Sequence, residues 1–329
     1  MASPPDVLED SLAALLARRL DDASGRDAFV WLKDGRSAER AVHFGALGRA
    51  AAEWASRISA VSDPGDRVLL LLPPGLDMAE AFWGCLLAGR VAVPLPSPDP
   101  TRWKNAAPRL RAVIADAGAR VAIGVDAYRA PLAALDEESA GEGRPRLTVL
   151  VPQAAHALAA GGTLAALLSR PLPAGTSPAY LQYTSGSTGT PRGAVLTHAT
   201  VLAQCAALRS ALGVDAKARV LSWLPHHHDY GLVLGLLLPV AAGATAWLMS
   251  PLAFLRYGMA ETVLGATASP PGRGLKTAVS PDGVMRVACG RTIPGMSVAI
   301  VDPDSGVRLA DGVEGEIWLR GSSVGSGYW

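Results

Sequence analysis

A run of hydroxyl residues and glycines lies between two apolar segments, residues 179–183 and 194–196, that are typical of strands. Glycine permits positive φ and close backbone approach, so successive N–H groups can face one anion. The hydroxyl groups add donors, and a guanidinium adds a planar cationic fork suited to phosphate oxygens. The sequence therefore predicts a phosphate-binding loop made of Thr184, Ser185, Gly186, Ser187, Thr188, Gly189 and Arg192.

Two other kinds of segment resemble this run. A flexible Ser/Gly linker has a similar composition, but such linkers rarely separate two apolar strands. A Walker loop also binds phosphate, but it ends in Gly-Lys-Ser/Thr and opens a helix. That ending is missing here, and a second predicted strand follows the run. The flanking strands therefore favour a phosphate-binding loop of a different kind.

Three consecutive histidines, His226, His227 and His228, follow a predicted strand. Neighbouring residues of an extended segment point to alternate faces, so at most two of them could share a metal ion. No cysteine or third ligand is nearby in the sequence. A histidine that hydrogen-bonds a loop carbonyl is the simpler interpretation, and the residues alone do not assign a role to this cluster.

Tyr257, Gly258 and Glu261 form a third group of candidate residues. A tyrosine beside a glycine can lay its ring on a purine while the backbone comes close. A carboxylate four residues further on can hold Mg²⁺, which prefers oxygen ligands. The same spacing is also typical of an ordinary helix surface, so both interpretations stay open for these residues on their own.

The elements that position these residues alternate between strands and helices, which indicates an α/β fold of layered sheets flanked by helices. A charged stretch, residues 136–146, is predicted to be a surface connection, and Thr197 is predicted to cap a helix. A small β region follows at the end of the chain. The predicted helices are 11–20, 45–58, 77–88, 108–117 and 197–212, and the predicted strands are 28–32, 67–72, 90–93, 121–125, 147–151, 220–224, 297–301 and 316–319.

Composition excludes several classes of protein. The chain has 329 residues, half of them hydrophobic, and a net charge of +1, so it can form a sizeable core but has no basic face for nucleic acid. Cys85, Cys205 and Cys289 are far apart and show no metal-ligand spacing, which favours reduced thiols. The first ten residues lack the order of a signal peptide. The sequence therefore predicts a cytoplasmic protein without a nucleic-acid partner.

One uncharged segment, residues 230–255, is long enough to suggest a membrane span. Pro239, Gly243 and Pro251 divide it, however, and buried α/β cores produce similar apolar runs. We therefore predict a buried helix over 232–238 and a buried strand over 245–249, and no membrane span.

The phosphate-loop motif, together with residues 71–89, 223–231 and 257–261, resembles the adenylate-forming superfamily in the same order along the chain. Within that superfamily the chain is most similar to fatty acyl-AMP ligases. The resemblance implies activation of a fatty acid by ATP to an acyl-adenylate, with release of pyrophosphate and transfer to an acyl carrier protein. Acyl-CoA ligase activity and a non-catalytic remnant that binds nucleotide or a partner are the alternatives.

The resemblance also implies roles for individual residues. His228, in the pattern His-Asp-Tyr-Gly, would orient the acid and hydrogen-bond a developing oxyanion. Tyr257 and Gly258 would contact adenine, Glu261 would bind Mg²⁺, and residues 184–192 would hold the phosphates of ATP.

The sequence departs from the family pattern at two places. Arg256 is joined directly to Tyr257, where relatives carry a longer segment of the acyl pocket, so an internal deletion is expected. The chain also stops before the family's ribose-binding aspartate and its C-terminal subdomain with the catalytic lysine. These departures predict a partial N-terminal adenylation domain, weakly active or inactive alone, with parts at residues 1–175, 176–256 and 257–329.

Overall fold

The computed structural model describes residues 11–32, 38–139, 146–152, 164–184, 191–250, 256–257, 267–268, 277–279, 285–287, 291–292 and 296–321. The chain divides into two compact units. The first unit comprises residues 1–32 and 38–248, and the second comprises residues 33–37 and 249–329.

Nine α-helices are described in the first unit: α1 (Leu12–Ala23), α2 (Phe44–Ser59), α3 (Leu76–Leu87), α4 (Trp103–Ala117), α5 (Arg129–Ser139), α6 (Leu164–Leu168), α7 (His198–Leu212), α8 (Asp229–Leu232) and α9 (Leu238–Ala242). Its strands are β1 (Asp27–Leu32), β2 (Ala38–His43), β3 (Arg67–Leu70), β4 (Val91–Pro94), β5 (Val121–Ile123), β6 (Thr148–Leu150), β7 (Pro178–Thr184), β8 (Arg192–Thr197), β9 (Arg219–Ser222) and β10 (Thr245–Met249).

Two sheets organise these strands. The larger has six strands in the order β6-β5-β3-β4-β7-β8. Its first five strands run parallel, and β8 pairs antiparallel with β7 at the edge. The second sheet has the order β2-β1-β10-β9. The layered α/β architecture predicted from the sequence is therefore confirmed, including the parallel unit formed by β3, α3 and β4.

Both faces of the larger sheet are buried, which explains the nearly continuous apolar sequence of β3. Val68 and Leu70 belong to the hydrophobic cluster that includes α2 and α3, whereas Leu69 belongs to the cluster that includes α4 and α5. In the first cluster α2 and α3 pack closely. A Cβ on Gly84 of α3 would lie 2.4 Å from the Cβ of Trp54, so only glycine allows this approach.

Two helices differ from the sequence prediction. Helix α4 begins five residues before the predicted start at 108 and contains Pro108, because a 3₁₀ turn capped by Asp99 leads directly into it. Helix α5 was not predicted, and the expectation of a surface connection from residue 136 is wrong at its start. Asp136 is buried in the described part of α5, where its carboxylate accepts a hydrogen bond from the N–H of Leu147 at 2.7 Å.

The uncharged segment near residue 240 folds as predicted for a buried core. A short π-helical segment, Val233–Leu237, joins α8 to α9, and β10 follows. Within the described ranges, the chain has no helix that is both long and apolar enough to cross a membrane.

The thiols of Cys85 and Cys205 are free and buried, in agreement with the sequence. Burial raises the pKa of Cys205 to about 12. Cys289 lies outside the described residues.

The described elements of the second unit are strands: β11 (Arg256–Tyr257), β12 (Thr267–Ala268), β13 (Thr277–Val279), β14 (Met285–Val287), β15 (Arg291–Thr292), β16 (Met296–Val301) and β17 (Glu316–Gly321). The β16–β17 hairpin confirms the two predicted strands of the small β region. Asp302 ends β16 with a turn, since its carboxylate accepts hydrogen bonds from Asp304 and Ser305. These bonds lower the pKa of that carboxyl.

Glu80 on α3 makes the stability of the first unit depend on pH. It is 8% exposed, and its Oε1 accepts a hydrogen bond from Arg40 at 2.6 Å. Burial is the main cause that raises the pKa of this carboxyl to about 7, in spite of the opposing effect of Arg40. Nearby Asp77 and Glu53 raise it further.

Because unfolding returns Glu80 to an ordinary pKa near 4.5, the folded state holds the extra proton between that value and about 7. The free energy of unfolding is therefore expected to fall as pH rises through this range, by at most about 3 kcal/mol. Urea unfolding of the wild type and of Glu80→Gln at about pH 5 and about pH 8 measures the effect. The variant is expected to lose most of the fall, and a fall that it retains in full would contradict this assignment.

Candidate active site

The β7–β8 hairpin holds the predicted phosphate-binding loop. In its register Thr184 pairs with Arg192, so residues 185–191 connect the two strands. Since β7 runs parallel to β4, the loop leaves the sheet at the carboxyl ends of the parallel strands. Ligands of open α/β sheets bind at this edge. The backbone of Thr184 and the exposed side chain of Arg192 are described at the base of the loop, whereas Ser185, Gly186, Ser187, Thr188 and Gly189 lie outside the described residues.

Tyr183 fixes the strand on which the loop begins. Its hydroxyl donates a hydrogen bond to the Asp116 carboxylate on α4 at 2.5 Å, and the residue is 6% exposed. Burial, followed by this hydrogen bond, raises the pKa of the phenol. Gly193 lies opposite on β8, where a Cβ would come within 3.0 Å of the Tyr183 ring. The strand is therefore held against α4 one residue before the loop.

The three histidines lie on a tight turn between β9 and α8, called here the histidine loop (residues 225–228). The N–H of His228 donates to the carbonyl of Pro225 at 3.0 Å, and the carbonyl of His228 accepts from Leu232 at 2.8 Å. A Cβ on Gly231 would lie 2.1 Å from the Pro225 carbonyl oxygen. The glycine of the His-Asp-Tyr-Gly pattern is therefore required by the close approach of α8 to this turn.

His228 presents its ring to solvent at the start of α8. Its side chain is 66% exposed, and its Nδ1 lies within hydrogen-bond distance of the Asp229 carboxylate. A carboxylate only accepts, so Nδ1 carries the proton in this pair. The bond made by one ring nitrogen fixes the role of the other, so the exposed Nε2 donates to an anionic ligand only when both ring nitrogens carry a proton. This geometry suits a histidine that orients a carboxylate or a phosphate oxygen.

The other two histidines have different surroundings. His226 is 1% exposed, and burial lowers its pKa to about 4, so its ring is neutral near pH 7. His227 is half-buried, and burial also lowers its pKa. No group of three or more histidine, cysteine, aspartate or glutamate side chains that could hold a metal ion is found in the part of the chain that the structure describes.

One side chain joins β7, the strand that carries the phosphate-binding loop, to the histidine loop. The amide nitrogen of Gln182 on β7 donates to the backbone carbonyl of His227 at 3.0 Å. Gln182 and Tyr183 are neighbours on a strand and so point to opposite faces of the sheet. One faces the histidine loop and the other faces α4. Strand β7 therefore carries the phosphate-binding loop and also holds the loop that presents His228.

Sequence reasoning missed Gln182, Asp116 and Asp229 as parts of this arrangement. A signal was present for the first, because Gln182 interrupts an otherwise bulky strand at a position where the alternation of faces predicts an orientation. Tyr257 lies in β11, the first described strand of the second unit. Gly258 and Glu261 lie outside the described residues, so their predicted contacts with adenine and Mg²⁺ stay predictions.

Comparison with known proteins adds the family. A sequence profile described as AMP-binding enzyme matches residues 16–256 and 253–329. The medium-chain-fatty-acid–[acyl-carrier-protein] ligase JamA of Moorena producens is 36% identical over 244 residues, covering 74% of this chain and 40% of JamA. The long-chain-fatty-acid–AMP ligase FadD26 of Mycobacterium marinum is 32% identical over 264 residues, covering 76% of this chain and 42% of FadD26. The chain thus spans less than half the length of these two relatives.

The fold has counterparts among solved structures. The crystal structure of fatty acyl-adenylate ligase from L. pneumophila, in complex with acyl adenylate and pyrophosphate, aligns with a TM-score of 0.60 at 22% identity. The alignment covers 97% of this chain and 70% of that chain. The solved structure shows the fold, and the profile and the two relatives confirm the resemblance to fatty acyl-AMP ligases seen in the motifs. The chain belongs to the AMP-binding enzyme family.

Proposed function

We propose that this chain binds ATP and activates a fatty acid as an acyl-adenylate, with release of pyrophosphate. The observation that carries the proposal is the joint attachment of two segments to β7. The phosphate-binding loop, with Arg192 at its base, continues this strand. The histidine loop, with the exposed His228, is hydrogen-bonded to the same strand. A group that binds phosphate and a group that orients the acid are thereby held on one rigid element.

The chemistry requires such positioning. The carboxylate of the acid is a weak nucleophile and must approach the anionic α-phosphate of ATP. Orientation of the two reactants and hydrogen-bond donors at the developing charge supply most of the acceleration of such a reaction. In this proposal the N–H and hydroxyl groups of residues 184–189 and the Arg192 guanidinium bind phosphate oxygens, while His228 Nε2 orients the acid.

The relatives support the choice of acid and acceptor. JamA and FadD26 are named as ligases of medium-chain and long-chain fatty acids, and the name of JamA includes an acyl carrier protein. We therefore extend the proposal to transfer of the acyl group to a carrier protein. Mg²⁺ is proposed to bind at Glu261, where it would neutralise charge on the phosphates; the oxygen of a carboxylate is a suitable ligand.

Acyl-adenylate formation tests the proposed function. The full chain is mixed with ATP, Mg²⁺ and either a medium-chain fatty acid or the matching primary alcohol, and acyl-adenylate is measured by mass spectrometry. We expect product only with the acid. We also expect turnover well below the ordinary range of about 1–10³ s⁻¹, because the two matched profile segments meet at residues 253–256, where the sequence predicts an internal deletion. Absence of both product and nucleotide binding would overturn the proposal.

The same reaction mixture distinguishes the proposed activity from the alternative, acyl-CoA ligase activity. Adding CoA to the mixture with the acid is expected to leave acyl-adenylate as the product. Formation of an acyl-CoA thioester at a comparable rate would instead identify an acyl-CoA ligase. Transfer of the acyl group to the phosphopantetheine thiol of an added carrier protein would favour the proposed acceptor.

Arg192→Ala is expected to weaken ATP binding about 10-fold to 100-fold, because a charge-assisted hydrogen bond to phosphate contributes about 1.5–3 kcal/mol. Equilibrium titration of the full chain with ATP and Mg²⁺ measures the change. Arg219→Ala is the matched control, since Arg219 is an exposed arginine at the start of β9, the end away from the histidine loop. Equal ATP affinity in the wild type and Arg192→Ala would remove Arg192 from the phosphate site.

A further inference from the structure

We propose that Gln182 is a positioning residue, which acts through the backbone of the histidine loop to hold His228 in register with the phosphate-binding loop. The inference rests on the proposed function for its catalytic consequence. The contact itself is independent of that function. Gln182 lies two residues before Thr184 in sequence, and its amide reaches a backbone carbonyl 45 residues away at 3.0 Å.

The side of the contact on β7 is rigid. The strand pairs with β4 on one edge and with β8 on the other, in continuous register from Tyr180 to Thr184 on the β8 side. Buried aromatic rings hold its other end, where Tyr180 meets Phe82 edge to face with ring centroids 5.9 Å apart. Because Tyr183 is also bonded to Asp116, the Gln182 side chain projects from a strand that is fixed on several sides.

Apart from the Gln182 contact, the described backbone hydrogen bonds of the histidine loop are local. The other described backbone hydrogen bonds of residues 225–228 close the turn itself or join it to α8, from His228 to Pro225 and from Leu232 to His228. The carboxylate of Asp229 accepts from Tyr230 at 2.7 Å and stays on the same short segment. The Gln182 amide therefore connects this loop to the sheet.

The chemistry of the contact requires an amide donor. The partner is a carbonyl oxygen, which only accepts, so the –NH₂ end of the amide must face it. Glutamate would place a carboxylate oxygen against this carbonyl, and methionine would fill the space without a donor. The Gln182 carbonyl oxygen is buried without a hydrogen-bond partner among the described groups, as are both ring nitrogens of His226. Neither substitution supplies a donor to the carbonyl of His227.

Hydrogen–deuterium exchange of the full chain tests the contact directly. In Gln182→Met the peptide that spans residues 223–232 is expected to exchange about 5-fold to 10-fold faster, since one neutral hydrogen bond contributes about 1 kcal/mol. The N–H groups of His228 and Leu232 report this change, because both are hydrogen-bonded within the loop and α8. Peptides from β4 and β8 are expected to exchange as in the wild type.

Leu181→Met is the matched control. Leu181 is the preceding residue on β7 and packs against the cluster on the α4 side, and the change conserves volume. It is expected to leave exchange of the histidine loop unchanged. Unchanged exchange of the histidine loop in Gln182→Met, or equal acceleration in Leu181→Met, would overturn the positioning role.

Kinetics separate this inference from the proposed function. If the wild-type chain forms acyl-adenylate, Gln182→Met is expected to lower kcat about 10-fold and to change the KM for ATP less than about 2-fold. A general loss of structure would alter both values and the exchange of β4 and β8. If the wild type forms no acyl-adenylate and binds no nucleotide, the proposed function fails, whereas the exchange experiment still decides whether Gln182 holds the loop. An unchanged kcat in an active protein would contradict a positioning role in the reaction.

Discussion

Gly231→Ala is expected to lower the free energy of unfolding of the first unit by about 2–3 kcal/mol, because overpacking of a fixed backbone contact has this cost. The added Cβ would lie 2.1 Å from the Pro225 carbonyl oxygen and 2.7 Å from its carbonyl carbon. Both are backbone atoms, so the turn or α8 has to move. That carbonyl also accepts the N–H of His228. The variant is therefore expected to displace His228 and to slow acyl-adenylate formation at least about 10-fold. Urea unfolding and a single-turnover assay measure the two effects.

Gly235→Ala provides the control in the adjoining π-helical segment. A Cβ there would meet its nearest atoms, on Leu248 and Ser222, at 3.6 Å, an ordinary contact distance. Glycine in a helical segment is less favourable than alanine by about 0.5–1 kcal/mol, so this variant is expected to match or slightly exceed the wild type in stability. A Gly231→Ala protein as stable and as active as Gly235→Ala would contradict the described geometry of the histidine loop.

His228→Ala is expected to lower the rate of acyl-adenylate formation about 100-fold, the usual result of removing one donor from developing charge in an active site. Affinity for ATP is expected to change less than about 2-fold, because the proposed role concerns the acid. Asp229→Asn is expected to have a smaller effect, about 10-fold, since it weakens the bond that fixes Nδ1 as the protonated nitrogen. Single-turnover kinetics at saturating ATP measure both.

Lys217→Ala is the control for these two variants. Lys217 is an exposed residue in the turn before β9, and its described hydrogen bond is made by its backbone N–H to Asp215. It is expected to react at the wild-type rate. A His228→Ala protein that reacts as fast as Lys217→Ala would assign His228 a purely structural part and would leave the acid without the proposed partner.

Much of the fold could be predicted because its signals are local. Thr197 was predicted to cap a helix, and its hydroxyl oxygen accepts the N–H of Thr200 at 3.2 Å at the start of α7. The apolar sequence of β3 indicated a strand buried on both faces, as observed. Glycines and prolines divided the uncharged segment into a helical part and β10, because these residues interrupt regular structure regardless of what surrounds them.

The errors concern residues whose state depends on distant partners. Asp136 suggested an exposed connection, yet it is buried because Leu147, eleven residues away, supplies an N–H for its carboxylate. Pro108 suggested a helix start, but the preceding turn capped by Asp99 already sets the helical direction. A proline in a helix removes one hydrogen bond without always ending the helix. Neither partner could be identified from composition or periodicity.

In the candidate site, too, contiguous motifs could be predicted and contacts between distant residues could not. The phosphate-binding loop and the His-Asp-Tyr-Gly pattern of His228 could be found as motifs, since each is a contiguous stretch of sequence. The bond from Gln182 to His227 joins residues 45 positions apart, and only the folded sheet brings them together. The sequence also does not show why residue 231 is glycine, because the requirement comes from the close approach of α8 to the carbonyl of Pro225 in the folded protein.

ATP binding by the full chain tests the central claim most directly. Titration with ATP and Mg²⁺ is expected to show one saturable site, with binding weakened about 10-fold or more by Arg192→Ala and unaffected by Arg219→Ala. The same result is expected with and without a fatty acid. An absence of saturable binding in a folded wild-type chain, or binding that is indifferent to Arg192, would contradict the assignment of the β7–β8 loop as the phosphate site.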